Sequence, residues 1–312
     1  MSKAITSSRT AYFRIILDWK GTIVSTSPLV STFSIVAREP DTGDLGVAVQ
    51  SKFFGVGAVV SWARANVGAI ATQSLANTSY GTRGLALLQA GWSAPDVVDY
   101  LIQVDPDRAM RQIGLVDRQG IAANYTGTGC FPWAGGHVGN GYCVQGNILV
   151  SQDTTDAMAN AYESTSGRFA HRLISALEAG QVAGGDSRGQ QSAAIYIVRD
   201  RAGYGGGTDR LLDLHVEDHQ TPIAELRRLY DLHHVFFGTD EVVLESLTDE
   251  LSATVGRKLV QLGYLEAGNE DDRTRVQSAL HDWAGNENLE ERLRNDDQID
   301  AVILRFLDDQ TG

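Results

Sequence analysis

Features that are scarce in this sequence exclude several classes of protein. Cysteine occurs only twice in 312 residues, and neither Cys130 nor Cys143 has the spacing of a zinc site, which excludes a disulfide framework. One disulfide across a hairpin stays open. No apolar run approaches the ~18 residues that a membrane-spanning helix needs. Lys and Arg number 26 against 39 acidic residues, so we expect neither a nucleic-acid nor a membrane partner.

The acidic residues are concentrated near the C-terminus. Residues 240–312 contain 18 acidic and 7 basic side chains and hold eleven of the thirteen net negative charges. Strand-like runs end at about Gly238, and helical periods follow at 242–262, 273–282 and 299–307. We therefore predict a small all-α domain over residues 238–312. Its predicted core comprises Leu259, Leu262, Leu265, Val276, Leu280 and Trp283.

The first 31 residues do not resemble an export signal. Their apolar stretch, Ala11–Trp19, is interrupted by Arg14 and Asp18, and no Ala-x-Ala cleavage site follows. Residues 1–31 are interpreted as an extension, as a pro-segment, or as the result of a wrongly chosen start codon. Because cysteine is scarce and no export signal is found, the sequence favours a cytoplasmic protein.

Strands and pairs of helices alternate through residues 32–237. The strand that begins at Thr32 has Phe33, Ile35 and Ala37 at alternate positions, which is the period expected of a half-buried strand. Further strands are predicted at 45–51, 56–62, 67–72, 112–117, 121–125, 141–150, 191–199 and 211–216, and helices at about 80–90, 94–104, 153–164, 167–180 and 222–233. The strands are mostly apolar on both faces. This pattern predicts an α+β fold in which two stacked sheets are covered by helices, a four-layer αββα sandwich.

Several motifs in the same region resemble a known family. They are TFSIVAR (32–38), LGVAVQSKFF (45–54), GAIATQ (68–73), GNGYCVQGN (139–147) and GGDSRGQQSAA (184–194). In this order they are similar to a bacterial family known mainly as a domain of unknown function, which is placed in the N-terminal nucleophile (Ntn) hydrolase superfamily. The resemblance covers roughly residues 32–235 and implies the αββα fold and amide hydrolysis. The tail, with LGYL (262–265) and WAGNEN (283–288), resembles a peptidoglycan-binding domain.

Thr32 is the predicted nucleophile. A hydroxyl needs a base, and the α-amino group of an N-terminal Thr can serve because its pKa is about 7.7–8.0. Thr32 is internal in the sequence as written, so this chemistry requires the removal of residues 1–31. Ser31 is the alternative nucleophile. The alternative without catalysis is that Thr32 is simply the first residue of a strand, where Thr is common.

Other residues are predicted to assist Thr32. Lys52, which follows the second strand, would lower the pKa of the amine. Asp186 and Ser192 would hydrogen-bond the ammonium group or its water, although a surface ion pair of Asp186 with Arg188 is the alternative. By analogy with the superfamily, the oxyanion donors would be the backbone N–H groups of Gln73 and Ser74, or the side chain of Asn77.

A Gly-rich loop at 127–141 is predicted to cover the substrate. His137 is its candidate substrate-binding residue, and a packed hairpin with a buried Cys130 is the alternative. The sequence around His215 and His219 contains carboxylates, but no third spaced ligand follows, so no metal site is predicted. The glycines at 184–189 are not followed by a Walker Lys-Ser/Thr, which excludes a phosphate loop.

The predicted function is cleavage of an amide bond in a small or peptide-like substrate, cell-wall-derived substrates included, without a cofactor. The alternative is a non-catalytic ligand-binding or scaffolding protein on the same fold. Peptidoglycan or its precursors are the candidate partner of the tail. Since no export signal is found, the tail either binds cytoplasmic precursors or binds nothing of the kind. Folds of this class also allow a homodimer.

Overall fold

The computed structural model of the chain describes residues 32–238, 242–294 and 296–312. The predictions for residues 1–31, including Ser31 as a nucleophile, lie outside these ranges. The chain divides into two compact units, of which the first ends at Arg227 and the second runs from Arg228 to Gly312.

The first unit contains two antiparallel sheets and their covering helices. In chain order its elements are β1 (Thr32–Arg38), β2 (Leu45–Ser51), α1 (Gly57–Val60), β3 (Ser61–Arg64), β4 (Gly68–Ser74), α2 (Ser79–Gln89), α3 (Ala94–Gln103), β5 (Arg111–Asp117), β6 (Ala122–Thr126), β7 (Gly135–Gly139), β8 (Tyr142–Asn147), α4 (Asp153–Ser164), α5 (Phe169–Val182), β9 (Ser192–Val198), β10 (Arg210–Val216) and α6 (Pro222–Phe237). The boundary between the units falls within α6. This mixture of helices and antiparallel strands confirms the α+β prediction.

The sheets are stacked face to face. One has the strand order β10-β9-β2-β1-β8-β7 and the other β3-β4-β5-β6. Helix α5 packs on the outer face of the larger sheet, where Phe169 and Leu173 lie against Gly46. Helices α2 and α3 cover the smaller sheet and share a core with it that includes Leu101 and Ile113. Strand β1 therefore lies near the centre of the unit, with a neighbouring strand on each side.

Apolar side chains fill most of the space between the sheets. Val36, Val47 and Val49 of the larger sheet pack with Ala69 and Val116 of the smaller one, and all five are fully buried. Burial of each valine side chain stabilises the fold by about 1.5–3 kcal/mol. This apolar core therefore contributes much of the free energy that holds the two sheets together. Towards the start of β1 the same space is lined by polar side chains.

Two predicted segments differ from the structure. The sequence predicts one buried strand over residues 56–62, but Gly57–Val60 forms a helical turn before β3. The turn is possible because Gly57 has no side chain, so that His215 and Ala194 pack against its Cα, and because Ser192 Oγ accepts a hydrogen bond from Val56 N. The loop expected at 127–141 contains β7, which pairs with β8.

The second unit is helical with one short pair of strands. Its elements after α6 are β11 (Leu244–Ser246), α7 (Asp249–Gln261), α8 (Arg273–Asn286), β12 (Gln298–Asp300) and α9 (Ala301–Thr311). The antiparallel pair of β11 with β12 corrects the all-α prediction. Three-residue strands are too short to leave a periodic pattern, and these two pair across more than fifty residues of sequence.

The predicted core of the second unit is confirmed. Leu259, Val276, Leu280 and Trp283 are buried, and Leu262 and Leu265 pack against them. The Trp283 Nε1–H donates to Gln310 Oε1 at 2.9 Å, which satisfies the polar atom of this buried ring.

We predict that Gly114→Ala destabilises the first unit. Gly114 lies on β5, and a Cβ there would overlap the carboxamide of Gln145, whose Nε2 donates to Ser34 Oγ at 2.7 Å. Displacing this buried amide should lower the free energy of unfolding by about 1–3 kcal/mol in urea denaturation. Gly207→Ala is the control, because its φ is −83° and an added Cβ would make only ordinary contacts. Equal stability of the two variants would contradict the prediction.

Candidate functional site

Polar side chains gather between the sheets at the end where β1 begins. We call this group the polar cluster, and its members are Thr32, Ser34, Ser51, Gln73, Gln112, Gln145 and Asn147. Each is at most 1% exposed. They lie on β1, β2, β4, β5 and β8, so both sheets contribute. Because a buried polar group costs free energy unless it is hydrogen-bonded, such a concentration indicates a structural or functional requirement.

Thr32 lies at the edge of the polar cluster, between the ends of two strands. Its Cα partners are Ser51, the last residue of β2, and Asn147, the last residue of β8. Thr32 Oγ1 donates a hydrogen bond to Ser51 Oγ at 3.2 Å. The main-chain oxygen of Thr32 accepts from Gln73 Nε2 at 3.3 Å. The first residue of the central strand is thereby tied to both sheets.

Carboxamides connect the members of the cluster. Gln112 Oε1 accepts from Gln73 Nε2 at 2.8 Å and from Asn147 Nδ2 at 2.9 Å. Gln112 Nε2 donates to the main-chain oxygen of Gly146 at 2.7 Å. Because both ends of the Gln112 amide are used, its orientation is fixed, and it fixes the donors around it.

Ser34 extends this network along β1. Its Oγ donates to Gln73 Oε1 at 2.7 Å and accepts from Gln145 Nε2 at the same distance. The Ser34 hydroxyl therefore fixes the orientation of both amides, and it carries no charge. The hydrogen-bonded side chains of the cluster are neutral, so they can orient an amide or a hydroxyl without adding a fixed charge.

Asp186 lies beside the cluster and organises the loops next to it. Its carboxylate is fully buried and accepts from Lys52 N at 3.0 Å and from Arg188 N at 2.9 Å. Arg188 also binds it through two side-chain nitrogens, at 3.2 and 3.0 Å. The predicted pair of Asp186 with Arg188 is therefore present, but the carboxylate is internal. It holds the residue that follows Ser51, and hence the end of β2.

The same loop is attached to the end of β8. Val150 N donates to Gly185 O at 3.1 Å, and Ser187 N donates to Ile148 O at 2.9 Å. The two strand ends that flank Thr32 are thus held by a single loop, 183–191. Asp186 therefore fixes the loop that joins these strand ends.

The other predicted assistants of Thr32 have different partners. The Lys52 ammonium group donates to Gln190 O at 3.1 Å on the protein surface. Ser192 Oγ donates to Phe53 O and accepts from Val56 N, which fastens the turn after β2. Gln73, whose backbone N–H is a predicted oxyanion donor, contributes its side-chain carboxamide to the cluster. Ser74 is buried at the end of β4 with a φ of 66°.

The half-buried Asn77 and the buried Asp105 form a second polar group near the ends of β4 and β5. Asn77 Nδ2 donates to Asp105 Oδ2 at 2.9 Å, and Arg111 Nε and the Tyr80 hydroxyl donate to the same oxygen at 3.0 and 2.9 Å. Burial by itself would raise the pKa of Asp105, but these hydrogen bonds, led by that of Arg111, lower it to about 2. Burial, with the hydrogen bond to Asp105, raises the pKa of Tyr80.

The cysteines and His137 are not part of the cluster. Both Cys130 and Cys143 are free thiols, so the disulfide that the sequence left open is not formed. Burial raises the pKa of the Cys130 thiol and raises that of Cys143 to about 12, which disfavours the thiolate that a nucleophile needs. His137 is exposed on the edge strand β7 and lies over Tyr142, with 6.2 Å between the ring centres.

Neither metal-like clusters nor membrane helices are found in the parts of the chain that the structure describes. His215 Nε2 lies 3.0 Å from Asp213 Oδ1, and its Nδ1 lies 3.3 Å from Glu217 Oε1. No group of three or more His, Cys, Asp or Glu side chains within the described ranges is placed to hold a metal ion. No helix there is long and apolar enough to cross a bilayer.

The sequence did not identify Ser34, Ser51, Gln112, Gln145 and Asn147 as members of the site. A usable signal exists, because Ser51, Gln112 and Asn147 are polar residues at or next to the ends of largely apolar strands. In β8, Gln145 and Asn147 also occupy alternate positions and so share one face. The sequence does not say that this face meets the polar ends of β1 and β5, because that contact depends on how the sheets stack.

Comparison with protein families now gives this site a context. The model of a family of unknown function, DUF1028, matches residues 32–226. The chain belongs to that family. The polar cluster lies entirely within the matched residues, and the resemblance to a family of unknown function is confirmed.

A solved structure from the same family is similar to the chain. It is the crystal structure of the protein SPO2555 from Silicibacter pomeroyi, which is 30% identical and superposes with a TM-score of 0.60. The match covers 65% of this chain and 89% of that one. Residues 239–307 match a second family, described as "putative peptidoglycan binding domain". No curated protein gives a significant match.

We predict that Asp186→Asn lowers thermal stability. The variant removes a buried charge that accepts from Lys52 N and Arg188, and an asparagine N–H₂ group would face those donors. The melting temperature of the first unit should fall by roughly 3–10 °C in a scanning calorimeter. Asp99→Asn, at an exposed position of α3, is the matched control and should change little. A melting temperature like that of the control would show that the buried carboxylate is dispensable.

A second prediction concerns acid stability. The pKa of Asp105, about 2 in the folded protein, lies below the value of about 3.9 in an unfolded chain, so its ionised form stabilises the fold above pH 4. This contribution is lost as the pH falls through 2. Between pH 5 and pH 2, the free energy of unfolding should therefore fall by roughly 2 kcal/mol more for wild type than for Asp105→Asn. Denaturant titrations at both pH values test this, and an equal fall in the two proteins would refute it.

Proposed function

We propose that the first unit is an amide hydrolase of the Ntn type, with Thr32 as its nucleophile. The observation that carries the proposal is the position of Thr32. It is the first residue of a central strand and lies between Ser51 and Asn147. Its side chain belongs to the buried polar cluster between the two stacked sheets. The membership of the DUF1028 family supports only that the fold is shared, since the function of that family is unknown.

In this proposal residues 1–31 are removed before catalysis. The new α-amino group of Thr32 then takes the proton of Oγ1, directly or through a water, and Oγ1 attacks the carbonyl carbon of the amide. The proton passes to the leaving amine, and water hydrolyses the resulting ester.

Two further roles follow from the contacts in the cluster. We assign the oxyanion role to the side-chain carboxamide of Gln73, which donates to the main-chain oxygen of Thr32, in place of the predicted backbone N–H of that residue. Ser51 orients the nucleophile through its hydrogen bond to Thr32 Oγ1. Lys52 and Asp186 have a positioning role in this scheme, because the hydrogen bond from Lys52 N to the Asp186 carboxylate holds the chain that follows Ser51. The roles of Ser74, Asn77, Ser192 and His137 stay predictions.

A non-catalytic ligand-binding protein is the second candidate function. It is favoured by the internal position of Thr32, whose nitrogen is an amide as long as residues 1–31 are attached.

The second unit contains a cavity of about 180 Å³. It is lined by side chains that include Gln277, His281, Arg292 and Arg294. This cavity lies within the residues that match the peptidoglycan-binding model, so we propose that the second unit binds a cell-wall precursor.

The domain division and the cellular setting belong to the same proposal. We place the hydrolase over residues 32–237 and the binding domain over 238–312, with 1–31 as a pro-segment. A cytoplasmic protein and a homodimer are part of it, and size-exclusion chromatography with light scattering tests the latter.

We predict that Thr32→Ala abolishes amide hydrolysis, whereas Thr32→Ser keeps it. Loss of the attacking hydroxyl should lower kcat by at least about 10³-fold on any amide in a fluorogenic panel that wild type cleaves. Wild-type activity should rise with pH through about 7–8, because only the neutral amine accepts a proton. Thr82→Ala, on the exposed face of α2, is the control.

Intact mass and N-terminal sequencing of the purified protein accompany this assay. A chain that begins at Thr32 supports the mechanism. An unprocessed chain that still hydrolyses amides, or a Thr32→Ala variant with wild-type turnover, would rule it out. An unprocessed and inactive chain would favour the ligand-binding function.

A further inference from the structure

A cleft of about 590 Å³ lies on the solvent side of α3. It is lined by Gly91, Trp92, Asp96, Asp99, Tyr100 and Gln103. The other lining residues of α3 follow Asp96 by three, four and seven positions, so they share one face of the helix. The opposite face, with Val97 and Leu101, is buried in the core that α3 shares with the smaller sheet. The cleft is therefore separate from the polar cluster, which lies between the two sheets.

The turn between α2 and α3 fixes the position of Trp92. Gly91 has a φ of 94°, and its N–H donates to Leu88 O at 3.0 Å. Trp92 N donates to Leu87 O at 3.1 Å. These two hydrogen bonds form a Schellman motif, in which a left-handed glycine ends the helix and sets the direction of the next residue.

The two aromatic rings of the cleft contact each other. The ring centres of Trp92 and Tyr100 are 5.6 Å apart, and the ring planes meet at 68°. Both rings stay accessible, since Trp92 is 42% and Tyr100 is 36% exposed. They therefore form two adjacent aromatic walls whose positions are set before a ligand binds.

The carboxylates of the cleft have no basic partner. Residues 84–107 contain no Lys, Arg or His. Within the described ranges of the chain, neither Asp96 nor Asp99 forms an ion pair. Asp96 instead accepts from the neutral hydroxyl of Ser93, at 2.5 Å. The cleft consequently carries two negative charges that no other side chain neutralises.

This combination of aromatic faces and carboxylates matches an organic cation. The face of an aromatic ring is negative, so it attracts a cation that lies within about 6 Å of the ring centre. Two carboxylates beside the rings strengthen this attraction and repel anions. Alkyl groups on the cation would in addition bury apolar surface against the rings.

We propose that the cleft binds an organic ammonium ion, with Trp92 and Tyr100 against its alkyl groups and with Asp96 and Asp99 beside its charge. The shared chemistry is a small, alkylated ammonium group, either free in solution or at the end of a lysine side chain. This site does not depend on the proposed hydrolysis.

Saturation-transfer NMR of the full chain with choline tests the proposal, because it detects weak binding through the methyl protons of the probe. The neutral alcohol 3,3-dimethyl-1-butanol has the shape of choline without its charge. Choline should bind at least about tenfold more tightly than this alcohol. Binding should weaken as salt is added, since salt screens exposed charges.

Two variants locate the binding site, and each has a matched control. Trp92→Leu should weaken choline binding at least threefold, whereas Tyr204→Leu, at a side chain that is 97% exposed, should not change it. Asp96→Asn/Asp99→Asn should weaken it by about three- to tenfold.

Asp153→Asn/Asp156→Asn is the control for the charge change. These two carboxylates have the same spacing at the start of α4 and accept from Ser151 and Gln152. Asp99→Asn alone serves if the double variant in α3 unfolds, because Asp96 contributes to the helix cap with Ser93. Thermal melting checks the folding of every variant.

The outcomes decide the class of ligand. Equal affinity for choline and for the alcohol, or wild-type affinity in the folded Trp92→Leu variant, would overturn the proposal. Tighter binding of N-acetylglucosamine than of choline would also overturn it and would indicate a sugar site.

A last probe distinguishes the two sources of the cation. Tighter binding of the acetylated amide of trimethyllysine than of choline supports an ammonium group that a peptide presents. Equal or weaker binding of that amide supports a free cation. A chain that binds choline but hydrolyses no amide supports the cleft and removes only the proposed reaction.

Discussion

The carboxamide of Gln112 joins the two sheets at the end where Thr32 lies. From β5 it accepts from Gln73 of its own sheet and from Asn147 of the facing sheet, and it donates to the main chain of β8. Its removal would leave several buried donors and acceptors without partners, each at a cost of about 1–3 kcal/mol. The arrangement of the cluster, and the position of Thr32 in it, depend on this one amide.

A core of valines and alanines would pack the same space more simply, as it does further along β1. The choice of neutral amides there has a chemical consequence. An amide donates and accepts at fixed positions, so it can hold a hydroxyl or a carbonyl in one orientation. Because the site adds no fixed charge, a reacting group must bring its own base, which is the reason that a free amine on Thr32 is central to the proposed mechanism.

Charged groups stabilise the surroundings of the cluster. Asp186 with Arg188 and Asp105 with Arg111 are both buried carboxylates with an arginine partner, and both lie in or next to loops at strand ends. Each carboxylate also accepts main-chain N–H groups, from Lys52 and Arg188 in one case and from Asp107 in the other. These ion pairs and hydrogen bonds fix the conformation of the loops next to the ends of β2, β4 and β5.

The sequence by itself determined the strand at Thr32, the α+β class and the family. Local alternation, helix caps such as Ser93 and the order of long motifs are properties of neighbouring residues, which sequence patterns record. It did not show that Asp186 supports Lys52 N, that Asn77 binds Asp105, or that three-residue strands pair in the second unit. These are contacts between residues that are distant in sequence. Only the tertiary structure decided which polar side chains meet, because the stacking of two sheets brings together strand ends that have no local signal for each other.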